Sequence, residues 1–421
     1  MTLSLIHNLN NKNHIKLLCM SLLCLVLFYS NNVYSQEKKE LIFHNSEKLK
    51  IQGHAQFGVN AVAETNLFWD LADVPELDFN SDTQWLESYI KSGISLINKT
   101  GTHSSLYLKV SAVGSYTMGT DAFDAKNTGK ITLENAHIGY KFKISDSTFV
   151  DASIGSRELK LGTGMLISNG ASSGFERGAL KFGPRKAWEK SAIVEVTSKK
   201  NKSKVFYISP NELPSNDTKN ELAGIDLNYY QTKDKYIGLS YINVLESLAP
   251  YPKAAPNGEG APIITPGDRD GLNALNLYTK TRPFKKTLKH LFTALDVAYQ
   301  WNDRIDMSSF GGRLQVGYDL VNIPWRPTLM YSYQTFSGDK PNTSGQERFD
   351  PLYFEGNPSA WSTGSKSSMV FINSNVQSNG VSIRVSPSKK DIITLRYAHI
   401  SAQQLRSPIQ FGQAARVEFF R

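Results

Sequence analysis

Histidines, serines, carboxylates and arginines are the residues of this chain that could do chemistry. Their spacing points away from covalent catalysis. His44, His54, His103 and His137 have no metal-ligand spacing, and His290 and His399 are isolated. No G-x-S-x-G, P-loop or H-E-x-x-H stretch occurs. A hydrolytic serine and histidine drawn from different strands would leave no local motif, so an outer-membrane hydrolase stays an alternative. Both cysteines, Cys19 and Cys24, sit in an N-terminal apolar run. The chain beyond that run therefore has no thiol for a disulfide, a zinc site or a nucleophile. The residues imply no catalytic site, no metal and no cofactor.

Arginines flanked by apolar residues carry more information. Arg157 falls between Ile154 and Leu159 in a run that alternates from Phe149 to Leu161. Arg313 is expected to share a face, and a pairing, with Asp319. Arg384 lies between Ile383 and Val385, and Arg396 between Leu395 and Tyr397. A charge facing lipid near the bilayer midplane costs about 2–4 kcal/mol. If these runs cross a membrane, the charges must face inward, where an arginine-bearing wall attracts anions. The competing reading is an internal salt-bridge ladder that stiffens the wall and selects nothing.

The elements that would position these groups are strands. Leu106, Leu108, Val110, Ala112 and Tyr116 alternate with Lys109, Ser111 and Ser115. Leu295, Val297, Tyr299 and Trp301 oppose Asp296 and Gln300. The runs are about ten residues long, the span of a tilted transmembrane strand. Several end in aromatics (Tyr116, Tyr140, Trp301, Tyr331, Tyr333), as expected at membrane–water interfaces. Short connectors such as Ser145-Asp146-Ser147 and Thr232-Lys233-Asp234 alternate with long polar ones: 69–80, 168–175, 248–270 and 338–359. That pattern predicts an all-β, antiparallel transmembrane barrel of about 16–18 strands, with the long connectors outside. A surface adhesin or structural barrel with a plugged lumen is a further alternative.

Lys12 and Lys16 precede the apolar run Leu17–Phe28, and Val33-Tyr34-Ser35 follows. This reads as a secretory signal cleaved after Ser35, leaving 36–421 as one domain. The whole chain of 421 residues carries a formal charge of +9, and removing the signal takes away two lysines and leaves +7. A basic exported protein suits anionic partners: lipopolysaccharide phosphate, an acidic polysaccharide or small anions. Export excludes nucleic acid. The C-terminal Val417-Glu418-Phe419-Phe420-Arg421 is either the closing strand or a sign that the last strands are lacking.

Four segments carry a resemblance. Gly155-Ser156-Arg157-Glu158-Leu159-Lys160-Leu161-Gly162-Thr163-Gly164-Met165-Leu166 resembles the G-R-Q-E-L-x-Y-G-x-x-R-L segment of the alginate-export family of outer-membrane porins. Phe175-Glu176-Arg177-Gly178-Ala179 is similar to that family's R-x-F-D-G-A. Ser337-Gly338-Asp339, then Phe349-Asp350-Pro351-Leu352-Tyr353, is similar to its S-G-D and F-x-P-L-F loop. Leu395-Arg396-Tyr397 to Leu405, followed by Ser407-Pro408, resembles a late strand. The resemblance implies an eighteen-stranded barrel with an arginine-rich lumen that exports an anionic uronate polymer, with periplasmic export partners. It places Arg157 and Arg177 on the pore wall, while Lys160, Arg313, Arg384 and Arg396 follow from alternation alone. Ser156 and Met165 stand where the family carries arginine, so anion passage is the firmer expectation and alginate the weaker.

Overall fold

The computed structural model describes residues 41–66, 80–259, 261–284, 286–356, 360–364 and 371–407. The expected signal sequence and the segment after Ser407 lie outside them. Ten strands form the first part: β1 (Leu41–Asn45), β2 (Leu49–Glu64), β3 (Thr83–Gly101), β4 (Ser104–Thr120), β5 (Lys126–Ser145), β6 (Thr148–Ser156), β7 (Lys190–Ser198), β8 (Asn201–Ser209), β9 (Glu221–Thr232) and β10 (Lys235–Glu246). Then come β11 (Tyr251–Lys253), β12 (Ile263–Thr265), β13 (Asn273–Thr281), β14 (Leu291–Asn302), β15 (Met307–Asp319), β16 (Thr328–Phe336), β17 (Val376–Val385) and β18 (Ile393–Ala402).

Sixteen strands make one antiparallel sheet in sequence order, and β11 and β12 form a small hairpin inside a connector. Among the described residues β1 pairs only with β2 and β18 only with β17, so the sheet is not closed. An up-and-down order puts alternate connectors at opposite ends. Short turns join β1 to β2, β3 to β4, β5 to β6, β7 to β8, β9 to β10, β13 to β14, β15 to β16 and β17 to β18. All the longest connectors lie at the other end.

The two faces of the sheet have inverted polarity. On β3, Ile90 is 57% exposed while Glu87 is fully buried; on β9, Leu227 is 42% exposed while Asp226 is fully buried. Leu86, Ile94, Val110, Val297, Leu314, Leu329 and Ile383 repeat the outward apolar pattern. Glu134, Asn276, Asp296 and Gln300 repeat the inward polar one. One irregularity adds a charge to the inner face. Ser111 pairs with Asn135 and Ala112 with Leu133, so Glu134 is the extra residue of a β-bulge. Glu134 and Asn135 are both buried, and the alternation of β5 changes phase there.

Three long connectors fold against the inner face. The principal core joins Leu159, Leu161, Met165 and Ile167 to Phe349 and Trp361 and to strand residues such as Ile208, Leu222, Ile242 and Phe336. The run Phe149–Leu161, expected as one strand, stops at Ser156. Beyond it, Leu159 and Leu161 bury into this core, because a partner connector far along the chain offers them an apolar surface that a strand would have turned to the outside. Gly178, at φ 66°, lets the short 3-10 turn Phe175–Arg177 lie on the sheet: a Cβ there would meet Thr128 O at 2.7 Å.

Candidate functional site

A cavity of about 1360 Å³ opens on the inner face of β10 and β13–β18. Its charged lining is Lys280, Asp296, Arg313, Arg384 and Arg396, so basic groups dominate. Register explains their common direction. Arg313 on β15 stands opposite Asp296 on β14, Arg384 on β17 stands opposite Thr328 and Thr394, and Arg396 on β18 opposite Ser382. Among the described residues, none of the three arginines forms a salt bridge. Asp319, the expected partner of Arg313, instead accepts from Arg282 Nη2 at 2.6 Å. Six residues along a strand are roughly 20 Å, too far for Arg313 to reach.

Arg313 does hold a connector in place. Its guanidinium lies 3.8 Å from the ring centre of Trp361, and Nη1 donates to Ala360 O at 2.7 Å. Trp361 Nε1 donates in turn to Thr163 O at 3.1 Å, and Thr163 bonds Asp296. The cavity is thus bounded by two inserted connectors that meet over a strand-borne arginine.

Elsewhere on the inner face several charges are matched. Lys91 Nζ lies 2.8 Å from Glu134 and 3.0 Å from Glu158. Lys202 is 2.8 Å from Glu195, and Lys204 is 3.7 Å from Asp226. Arg157 lies 3.7 Å from Asp151, donates to Tyr107 Oη at 3.0 Å and bonds Ser153. Lys160 pairs with Glu355, tying residues 157–189 to residues 337–375.

Arg177 corrects the expectation of a wall position. It is buried, and its guanidinium donates to the carbonyls of Ser172 (3.2 Å), Asn211 (2.9 Å) and Glu212 (2.7 Å) and to Asn211 Oδ1 (2.7 Å). Connector main chain has no helix or sheet to satisfy it, and a buried arginine is a multidentate donor that can do so. The expectation failed because the residue lies in a folded-in connector and not on a strand.

The connectors carry an ion pair of their own. Arg269 Nε donates to Asp350 at 2.8 Å, and Tyr251 Oη donates to the same carboxylate at 2.7 Å. Burial alone would push the Asp350 carboxyl up, but Arg269, Tyr251 and the Leu352 N–H together hold it below the ordinary carboxylate range. Burial, with Asp350 beside it, pushes the Tyr251 hydroxyl well up. Residues 247–272 and 337–375 are therefore joined by a charged bond on the inner side.

Sequence reasoning missed Lys280, Trp361, Thr163 and Glu355. A tryptophan inside a glycine- and serine-rich connector was the available signal, since an exposed loop has little use for one. The histidines hold one surprise: His54 Nε2 lies 2.7 Å from Ser95 Oγ. No carboxylate meets that ring among the described residues, so nothing orients it as a general base. No cluster of three or more metal-ligating side chains occurs among the described residues. No described helix is long and apolar enough to cross a membrane, which says nothing of strands.

No family model matches the chain, and no curated protein matches it. Solved structures do. A triple mutant of the Rhodopseudomonas blastica porin is 9% identical with a TM-score of 0.39, covering 83% of this chain and 94% of that one. A double mutant of the same porin is 11% identical, at 84% and 94% coverage and TM-score 0.39. A structure described as "Asymmetric conductivity of engineered proteins" is 10% identical, at 84% and 95% coverage and TM-score 0.37. Superpositions this loose assign nothing to individual strands or residues.

Proposed function

We propose that this chain is an outer-membrane channel that passes anionic solutes along the basic inner face of β13–β18. The inverted polarity of the sheet carries the proposal. In water, leaving a Leu, Ile or Val exposed forgoes roughly 1.5–3 kcal/mol relative to burial. Ile90, Leu227, Val297, Leu314 and Ile383 are only some of the outward residues. Hydrocarbon on that side removes the penalty, and strands whose backbone is paired with their neighbours can present such a face to it. The strand lengths, the short turns at one end and the long connectors at the other agree with this setting.

Anion preference rests on Arg313, Arg384 and Arg396, which line one cavity and form no salt bridge among the described residues, with Asp296 opposite Arg313 the acid of that lining. The substrate class is that of the family the sequence resembles, an acidic polysaccharide, with small anions the simpler cargo. The inserted connectors favour a second reading, a barrel whose interior is plugged and whose role is adhesive or structural. Planar-bilayer recording separates the two. Under a KCl gradient, the channel reading expects conductance with a reversal potential displaced toward chloride. A cation-directed reversal sinks the anion claim, and silent bilayers containing inserted protein favour the plugged barrel.

A further inference from the structure

The eight short turns gather charge and apolar surface at one end of the sheet. Basic residues outnumber acidic ones in them, whereas acidic residues outnumber basic ones in the described connectors at the opposite end. Lys199, Lys200, Lys286, Lys289, Lys389 and Lys390 are exposed and form no salt bridge among the described residues. Of the four acids there, Asp146 pairs with Lys143 at 2.7 Å and Asp234 with Lys280 at 3.0 Å, Asp391 accepts from Ser388 Oγ at 2.5 Å, and Glu47 is exposed. Turns need polar residues, but they do not need one sign of charge.

Apolar side chains sit among these cations. Phe284 is exposed beside Lys286, Ile323 and Trp325 beside Arg326, and Ile392 beside Lys389 and Lys390. The β15–β16 and β17–β18 turns are tied together, since Ser386 N–H donates to Trp325 O at 2.8 Å. Trp325 and Arg326 hold φ of 63° and 45°, a left-handed conformation uncommon for either residue. A soluble acidic partner would be met by charge alone. Exposed Trp, Phe and Ile interleaved with Lys and Arg fit a layer that is anionic at the surface and apolar just beneath.

We infer that the turns joining β13–β14, β15–β16 and β17–β18 form a collar that binds the headgroups of anionic phospholipids. The inference rests on the membrane reading above. The apolar members enter the acyl boundary, and the lysines and Arg326 pair with headgroup phosphates. The collar thereby sets both the depth of the barrel and the lipid around this end.

The test uses the full chain refolded into phosphatidylcholine vesicles with and without phosphatidylglycerol. Spin-labelled phosphatidylglycerol and phosphatidylcholine report the lipid held at the protein surface. Wild type should enrich the anionic label by about fivefold or more, and added salt should weaken this. A variant carrying Lys286→Gln, Lys289→Gln, Arg326→Gln, Lys389→Gln and Lys390→Gln should lose the enrichment. Lys219→Gln with Lys340→Gln, at the opposite end, should keep it. If the five-site variant does not fold, Lys389→Gln with Lys390→Gln should still lower the enrichment. Equal retention of the two labels by wild type overturns the inference, as does enrichment that survives the collar variants. So does a collar that captures soluble polyglutamate but ignores phosphatidylglycerol. Failure to insert into either vesicle is a separate outcome that removes the membrane reading itself.

Discussion

The inner face has two regions that look alike in sequence and behave differently in structure. From β3 to β9 several of its charges come in matched sets: Lys91 with Glu134 and Glu158, Lys202 with Glu195, Lys204 with Asp226. From β15 to β18, Arg313, Arg384 and Arg396 face the cavity with no carboxylate in salt-bridge contact. Both regions carry cations on the inward face of alternating strands. Asp296 stands directly opposite Arg313 but is taken up by Thr163 and Asn276, whereas Asp226, opposite Lys204, lies within 3.7 Å of its base. A matched charge stiffens the wall, and an unmatched one is available to a passing ion.

The sharpest break in this comparison is Lys91→Ala. It leaves the fully buried Glu134 carboxylate only the Lys186 N–H at 3.0 Å and should destabilise the folded protein by about 3 kcal/mol. A lower urea midpoint for the folded fraction in vesicles would show it, and an unchanged midpoint would mean that the matched pairs do little. Next comes Arg313→Gln with Arg384→Gln and Arg396→Gln. Anion preference should vanish in reversal-potential measurements. Stability should change by no more than about 0.5 kcal/mol at Arg384 and Arg396. Selectivity unaffected by all three would dissolve the distinction between the regions.

Acid gives a milder perturbation. The Asp350 carboxyl is depressed in the folded state, so its contribution is complete above its ordinary value of 3.8 and is lost as pH falls through the lower folded value. Below pH 3.8, residues 337–375 should loosen from residues 247–272, seen as noisier conductance and faster proteolysis within 337–375. Insensitivity across that range would mean that packing alone holds the connectors. The smallest effect is expected from Ser95→Ala. Its contact with His54 lacks an orienting acid, so conductance should stay the same and no esterase activity should depend on it. Ester hydrolysis abolished by this substitution would revive the hydrolase alternative.

The strands were legible because outward apolar residues recur with period two, as in Leu295, Val297, Tyr299 and Trp301. The longest connectors were legible as well, although residues 121–125 and 303–306, at the same end, are as short as turns. The bulge at Glu134 was not, because a single extra residue reads as noise until its partner strand is known. Residues 157–182 misled for a related reason. Leu159 and Leu161 have the local look of a strand, and they bury in a core shared with Phe349 and Trp361, far along the chain. Of the six expected site residues, Arg313, Arg384 and Arg396 line one cavity. Arg157 and Lys160 meet acids, and Arg177 meets carbonyls, outcomes that alternation cannot distinguish.

The bridge from Trp361 to Thr163 has a consequence for how the molecule assembles. It joins residues 198 positions apart, and the Lys160–Glu355 pair joins residues 195 apart. Contacts of such long range form late, after the loop-closure entropy of the intervening chain has been overcome. Lys160, Thr163, Ser168 and Asn169 therefore wait for the last third of the chain, whereas Lys181, Arg185 and Lys186 are already held by Glu87, Thr132 and Glu134. Folding should show a slow final phase limited by this meeting, and a chain interrupted before β16 should stall with residues 160–169 open to protease.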